Sequence, residues 1–181
     1  MNDFVTILSF SSRTGGNCAN IGKYISNYHK NCRLIMIDSE SVRACGSCNY
    51  ECLKPVLRCT QLSDPYLEIM DAICRSDLVY FIVPNYCGYP CANYFAFNER
   101  TVGYFNMDRE KMARYMNVPK RFIVISNTEG FEAAMGQQTN EVPQILYLKS
   151  RKYGKSSIAG DLLESDAAKA DLDEFLSRTD L

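Results

Sequence analysis

The sequence holds a single histidine, His29, among its 181 residues. Multi-histidine metal centres are therefore excluded, and a Ser-His-Asp or Cys-His apparatus would have to use that one ring. A basic surplus is also missing: 20 Lys and Arg stand against 21 Asp and Glu, a net charge of −1. Nucleic-acid binders carry a basic footprint, so that class is set aside. No apolar run approaches the roughly 20 residues that a membrane helix needs. Strand-like sequence starts almost directly after Met1, and a cytoplasmic protein with no membrane partner is expected. Neither GxxxxGK[ST] nor GxGxxG stands in the first glycine-containing loop, which removes the triphosphate and dinucleotide fingerprints. What is present is ordinary for a globular chain, 46% hydrophobic and 23% charged residues, together with nine cysteines. An odd cysteine count without a secretory leader argues against a disulfide framework and leaves reduced thiols, a metal or cluster site, or redox chemistry open.

The order of patterns is that of an α/β protein. Phe4 to Phe10 is β-branched and aromatic, and reads as a buried strand. A small-residue loop from Ser11 to Asn17 follows. Ile21, Tyr24, Ile25 and Tyr28 then recur at helical spacing. Strands are expected at Arg33 to Ile37, Leu78 to Val83, Arg121 to Ser126 and, shorter, around Ser156 to Ala159. Asp64 as cap and Pro65 in the first position start a second helix with Tyr66, Ile69, Met70 and Ile73 on its buried side. Ala168, Leu172, Phe175 and Leu176 mark a closing helix after Ser165. Ala92 to Asn117 is longer than a plain crossover helix. Strands alternating with helices imply a doubly wound parallel sheet. One domain over residues 1–181 is expected, with a cysteine-rich insertion at about 44–62.

In such sheets ligands bind beyond the carboxyl ends of the strands, where strand order reverses. The Ser11–Asn17 loop lies there. Its hydroxyls, its Gly15-Gly16 turn, Arg13 and the positive start of the following helix form an anion cradle, or equally a plain structural turn. SSRTGGNC resembles the phosphate loop of the flavodoxin-like superfamily, in particular its NAD(P)H-dependent FMN reductase and iron–sulfur flavoprotein group. Ser11, Arg13, Gly16 and Asn17 carry the likeness. It continues through CGSCNYEC and DPYLEIMDAICRSDLVYFIVPNYCGYP to Glu99-Arg100, and covers roughly Phe4 to Gly130.

That resemblance implies a flavodoxin-like three-layer sandwich with a five-stranded parallel sheet of order 2-1-3-4-5. It implies an FMN-dependent oxidoreductase moving electrons from NAD(P)H to a small acceptor such as a flavin or quinone. The alternatives are a flavodoxin-type or iron–sulfur flavoprotein electron carrier, or a regulatory domain without flavin. FMN phosphate would sit on Ser11, Arg13, Gly16, Asn17 and Cys18. The ring would lie between Pro84, Asn85, Tyr86, Cys87 and Gly88 on one side and Ser126, Asn127, Thr128, Glu129 and Gly130 on the other. FMN carries the chemistry, so no protein general base is named. The group often assembles as homodimers or homotetramers, and an oligomer is expected.

Cys45, Cys48, Cys52 and Cys59 form C-x2-C-x3-C-x6-C, a spacing able to hold a [4Fe–4S] cluster or zinc. The related flavoproteins use C-x2-C-x2-C-x4–7-C, one residue shorter in the second gap. Cys87 and Cys91 read as small buried side chains or as a thiol relay beside the flavin. Cys52 to Arg58 spells C-x5-R, but Pro55 and the lack of glycine argue against a phosphatase loop. His29 falls at the end of the first helix. Lys149, Arg151, Lys152 and Lys155 form a solvated basic stretch, or one that meets a cofactor phosphate.

Overall fold

A computed structural model describes residues 3–46, 48–54, 59, 61, 63–106 and 108–178. The strand β1 (Val5–Ser9) leads into α1 (Asn17–Tyr28) and β2 (Cys32–Met36). Then come α2 (Tyr66–Arg75), the long β3 (Leu78–Tyr86) and a short β4 (Tyr89–Pro90). Ala92 to Asn117 is divided into α3 (Ala92–Glu99), α4 (Thr101–Phe105) and α5 (Arg109–Asn117). The chain closes with β5 (Lys120–Ile125), α6 (Phe131–Ala134), β6 (Gln144–Leu148) and α7 (Asp166–Ser177). The sheet runs β2-β1-β3-β5-β6, parallel throughout, with β4 paired antiparallel to β3. This is the expected parallel α/β class, with β4 added as a sixth strand.

The continuous apolar run of β3 has a direct cause. Val79, Phe81 and Val83 face one core cluster, whereas Leu78, Tyr80 and Ile82 face the other across the sheet. A strand covered by helices on both faces reads as a near-continuous apolar run. On α1, Ile21 and Ile25 are buried as their spacing predicts, but Tyr28 is 49% exposed and Tyr24 reaches out to Asp173. The helix instead lies close to the sheet through Gly22, whose missing Cβ would stand 2.8 Å from Leu34 Cδ1. On α2 the expected Tyr66, Ile69, Met70 and Ile73 are all buried. Ser165 caps α7, which buries Ala168, Leu172, Phe175 and Leu176.

The last strand is where the sequence reading fails. Ser156 to Ala159 is not a strand; the edge strand is Gln144–Leu148. Ser156 Oγ accepts the backbone N–H groups of Ile158 and Ala159, which folds this segment back on itself. The true strand is half-buried, and Pro143 directly before it hides the pattern. None of the described helices is long and apolar enough to cross a membrane.

The cysteine-bearing segment is tied to the body through Arg100, at the junction of α3 and α4, which is 2% exposed. Its guanidinium pairs with Asp64, donates to Arg43 O at 3.5 Å and Gln61 O at 2.8 Å, and lies 4.3 Å over the Tyr66 ring. Asp64 also accepts the Arg43 and Tyr66 backbone N–H groups and so anchors the loop to the start of α2, where Pro65 rather than Asp64 holds the N-cap position. Arg58 of the C-x5-R spacing lies outside the described residues.

Removing one member of such a pair strands the other in a low-dielectric site. Arg100→Ala should cost about 3–5 kcal/mol in urea denaturation. Burial raises the Asp64 carboxyl, but Arg100 and the backbone donors outweigh it and hold the group below its ordinary 3.8. A depressed folded-state value means that the stabilisation is complete above the unfolded-state value and lost as pH falls through the folded one. Stability measured from pH 6 down to about pH 2 should therefore fall less steeply in Asp64→Asn than in the wild type. Equal slopes would contradict this account.

Candidate functional site

A pocket of about 190 Å³ opens at the carboxyl ends of β1, β3 and β5. This is the crevice beside the β1–β3 reversal in strand order, where ligands of open α/β sheets bind. Four chain segments reach it: Ser11 to Cys18 after β1, Pro84 to Cys87 at the end of β3, Ile125 to Thr128 after β5, and Ser157-Ile158 after β6. Of the residues singled out from sequence, Ser11, Arg13, Gly16, Asn17, Cys18, Pro84, Asn85, Tyr86, Cys87, Ser126, Asn127 and Thr128 line it together. Gly88, Glu129 and Gly130 do not.

The first wall is the start of α1. Gly16 precedes the helix with no side chain capping it, and the first turn carries no acidic residue. The free N–H groups and the helix dipole there favour an anion. Arg13 brings a full positive charge to the same loop and donates to Ile158 O at 3.2 Å. Cys18 is buried in the pocket floor, and burial pushes its thiol well above the ordinary value.

The second wall is a hairpin. Tyr86 pairs with Tyr89 across a two-residue turn in which Cys87 has φ +53° and Gly88 φ +86°. Positive φ at both central positions is the mark of a type I′ turn, whose twist matches the strands it joins. The turn leaves Tyr86 61% exposed at the pocket rim, an aromatic face available to a planar ligand. Cys87 is exposed on the turn rather than buried, whereas Cys91 is buried and donates from Sγ to Phe10 O at 3.2 Å. Asn85 is 5% exposed; its Nδ2 donates to Ser126 Oγ at 3.1 Å, and its Oδ1 has no donor among the described residues.

The third wall follows β5. Ser126 Oγ accepts Thr128 N, and Thr128 Oγ1 accepts Gly88 N at 3.1 Å, which latches the loop to the hairpin. Gly88 and Gly130 fall outside the pocket because they serve this latch: a Cβ on Gly88 would stand 3.2 Å from Glu129 O. Glu129 turns away to pair with Lys149 at 2.5 Å, which holds its carboxyl below the usual range. Asn127 binds Ser150 and the Arg151 backbone.

Three side chains of the basic stretch, Lys149, Lys152 and Lys155, stand in ion pairs. Lys152 binds Asp171 at 2.6 Å, and Lys155 binds Glu164 at 2.9 Å. His29 is the C-cap of α1, with Nε2 3.3 Å from Tyr80 OH. Burial, then the nearby Arg121 charge, lowers its pKa. Ile125, Ser157 and Ile158 were missed from sequence. Ser157 and Ile158 sit about 140 residues from the loop they join, and no local signal links the two.

Cys45, Cys48, Cys52 and Cys59 line a separate pocket of about 210 Å³ beside Arg100 and Gly103. Burial raises the Cys45 thiol, and the other three add to the effect. Among the described residues no three His, Cys, Asp or Glu side chains are placed to hold a single metal ion. Cys52 is buried and Cys45 exposed.

No family model matches the sequence. No curated protein matches it either. Solved structures do. The chain superposes on the Trp repressor binding protein from Bacillus subtilis with a TM-score of 0.61 at 15% identity, covering 98% of this chain and 99% of that one. It also superposes on FerB, a flavoenzyme NAD(P)H:(acceptor) oxidoreductase from Paracoccus denitrificans, with TM-score 0.56 at 13% identity, covering 96% and 95%. A flavone reductase gives TM-score 0.50 at 10% identity, covering 97% of this chain and 65% of that one. At these identities the likeness is one of fold, and the fold is flavodoxin-like α/β.

The hairpin latch is open to test. Gly88→Ala places a side chain at φ +86° against Glu129 O and should cost about 1–3 kcal/mol by urea denaturation. Gly46→Ala, with open space around it, should change stability by no more than about 0.5 kcal/mol.

Proposed function

We propose that the chain is an FMN-dependent oxidoreductase that takes electrons from NAD(P)H and passes them to a small acceptor such as a flavin or quinone. The observation that carries this reading is the union, in one pocket, of an uncapped and acid-free helix start beside Arg13 with an aromatic and amide wall at Asn85 and Tyr86. A phosphate monoester suits the first half and a planar heterocycle the second. The buried, undonated Asn85 Oδ1 is a further point of fit, because it would accept from a ring N–H.

Arg13 and the backbone N–H groups at the start of α1 would hold the phosphate. Tyr86 would present its ring to the flavin, and the Thr128–Gly88 latch would keep the two walls at fixed separation. Bound FMN would supply the hydride and electron transfer itself. The chain's task is then to place the ring, which suits a site whose sole histidine lies away from the pocket, capping the far end of α1. FerB and the flavone reductase, by their descriptions, support an oxidoreductase reading on this fold. A charge of −1 gives a carrier little means to steer toward a basic partner.

The test is an anaerobic absorbance spectrum of protein loaded with FMN, before and after NADPH or NADH. Flavin bands should appear on the protein and bleach on addition. Bands that ignore both donors would favour a carrier, and failure to bind FMN would sink the reading. Arg13→Ala should weaken FMN by about tenfold or more, the loss of one charge-assisted hydrogen bond.

A further inference from the structure

We infer that the segment 156–160 is the second half of the phosphate cradle, and that the Asn17 side chain acts through it as a positioning group rather than as a phosphate ligand. The inference rests on the FMN reading and assigns the specificity of that site to a strap which sequence motifs do not touch.

The Asn17 side chain is fully committed. Its Nδ2 donates to Ser156 O at 3.0 Å and Ser157 O at 3.2 Å, and its Oδ1 accepts Leu162 N at 3.0 Å. A primary amide has two N–H donors, and both are spent. Asn20, one turn along the helix, donates to Gly160 O at 2.8 Å and to Gly15 O at 3.4 Å, so it joins strap and loop directly. Arg13 takes Ile158 O. Four of the five strap carbonyls are thus bound by three side chains from the loop and the start of α1. An unbound carbonyl facing the cradle would repel a phosphate; here each of the four is turned onto a donor.

The fit is close at the backbone level. Gly160 has φ +82°, and a Cβ there would stand 2.1 Å from Gly15 O. No side chain can occupy the position without displacing the strap from the loop. Ser157 and Ile158 in turn line the pocket beside Arg13. The strap therefore fixes Arg13 and the Gly15-Gly16 turn before any ligand arrives, and the gain falls on the phosphate end of the ligand.

Fluorescence titration of the full chain with FMN and with riboflavin, which lacks the phosphate, separates the possibilities. In Asn20→Ala and Gly160→Ala, FMN should bind about tenfold more weakly while riboflavin is unchanged within about twofold. Asn20→Ala introduces no backbone strain and keeps the test intact if Gly160→Ala does not fold. Gly154→Ala is the control for positive φ alone: it has φ +63° with nothing within 4 Å, and should leave FMN binding unchanged. FMN affinity retained in Asn20→Ala would overturn the strap's role, as would equal losses for FMN and riboflavin. A wild-type chain that binds neither flavin would overturn the FMN reading itself, and the inference with it.

Discussion

The whole molecule depends on three central strands, β1, β3 and β5, being covered on both faces. All of β1 and β5, and all but the last residue of β3, are buried. Their backbone groups are satisfied by parallel neighbours, and their side chains by two separate apolar clusters. A polar side chain along such a strand is buried and needs a partner, as Thr6 finds in Ser76. Polar residues and turns are therefore forced to the strand ends. At the carboxyl ends they meet in one crevice: the Ser11 loop, the Asn85 hairpin and the Ser126 loop.

Cross-links between loops then give that crevice its shape. Thr128 holds the hairpin through Gly88 N, and Asn17, Asn20 and Arg13 hold the strap through its carbonyls. Each link joins segments far apart in sequence. A second loop system, carrying Cys45 to Cys59, hangs on Arg100 and Asp64 on the other side of α3. A buried guanidinium shared among a carboxylate, two carbonyls and an aromatic ring anchors a loop whose described residues hold one 3-10 turn, at Glu51–Leu53.

The likeness to known folds and the geometry of the pocket bear on different questions. The superpositions identify an architecture shared at 10–15% identity. That architecture fixes where a ligand can bind, but not its chemistry. The chemistry comes from this chain's side chains: an acid-free helix start, Arg13, the exposed Tyr86 and an undonated Asn85 acceptor.

Much of this was legible in the sequence because it rests on local pattern. Apolar continuity marked β1, β3 and β5; periodicity marked α2 and α7; and turn chemistry marked the Ser11–Asn17 loop. Twelve pocket residues fell within loops located that way. What failed had two causes, weak local pattern and long-range pairing. The edge strand Gln144–Leu148 is half-buried and follows Pro143, so its pattern is diluted, while Ser156–Ala159 looks extended but turns on its own serine. Glu129 pairs with Lys149, a partner twenty residues away that no local pattern marks. The Asn17 amide is found committed to two strap carbonyls and to Leu162 N. Sequence by itself determined the central buried strands and the first site loop, because continuous burial and strong turn chemistry are written in neighbouring residues. Tertiary structure alone decided which polar groups are already spent, because hydrogen-bond partners are chosen by contacts across the fold.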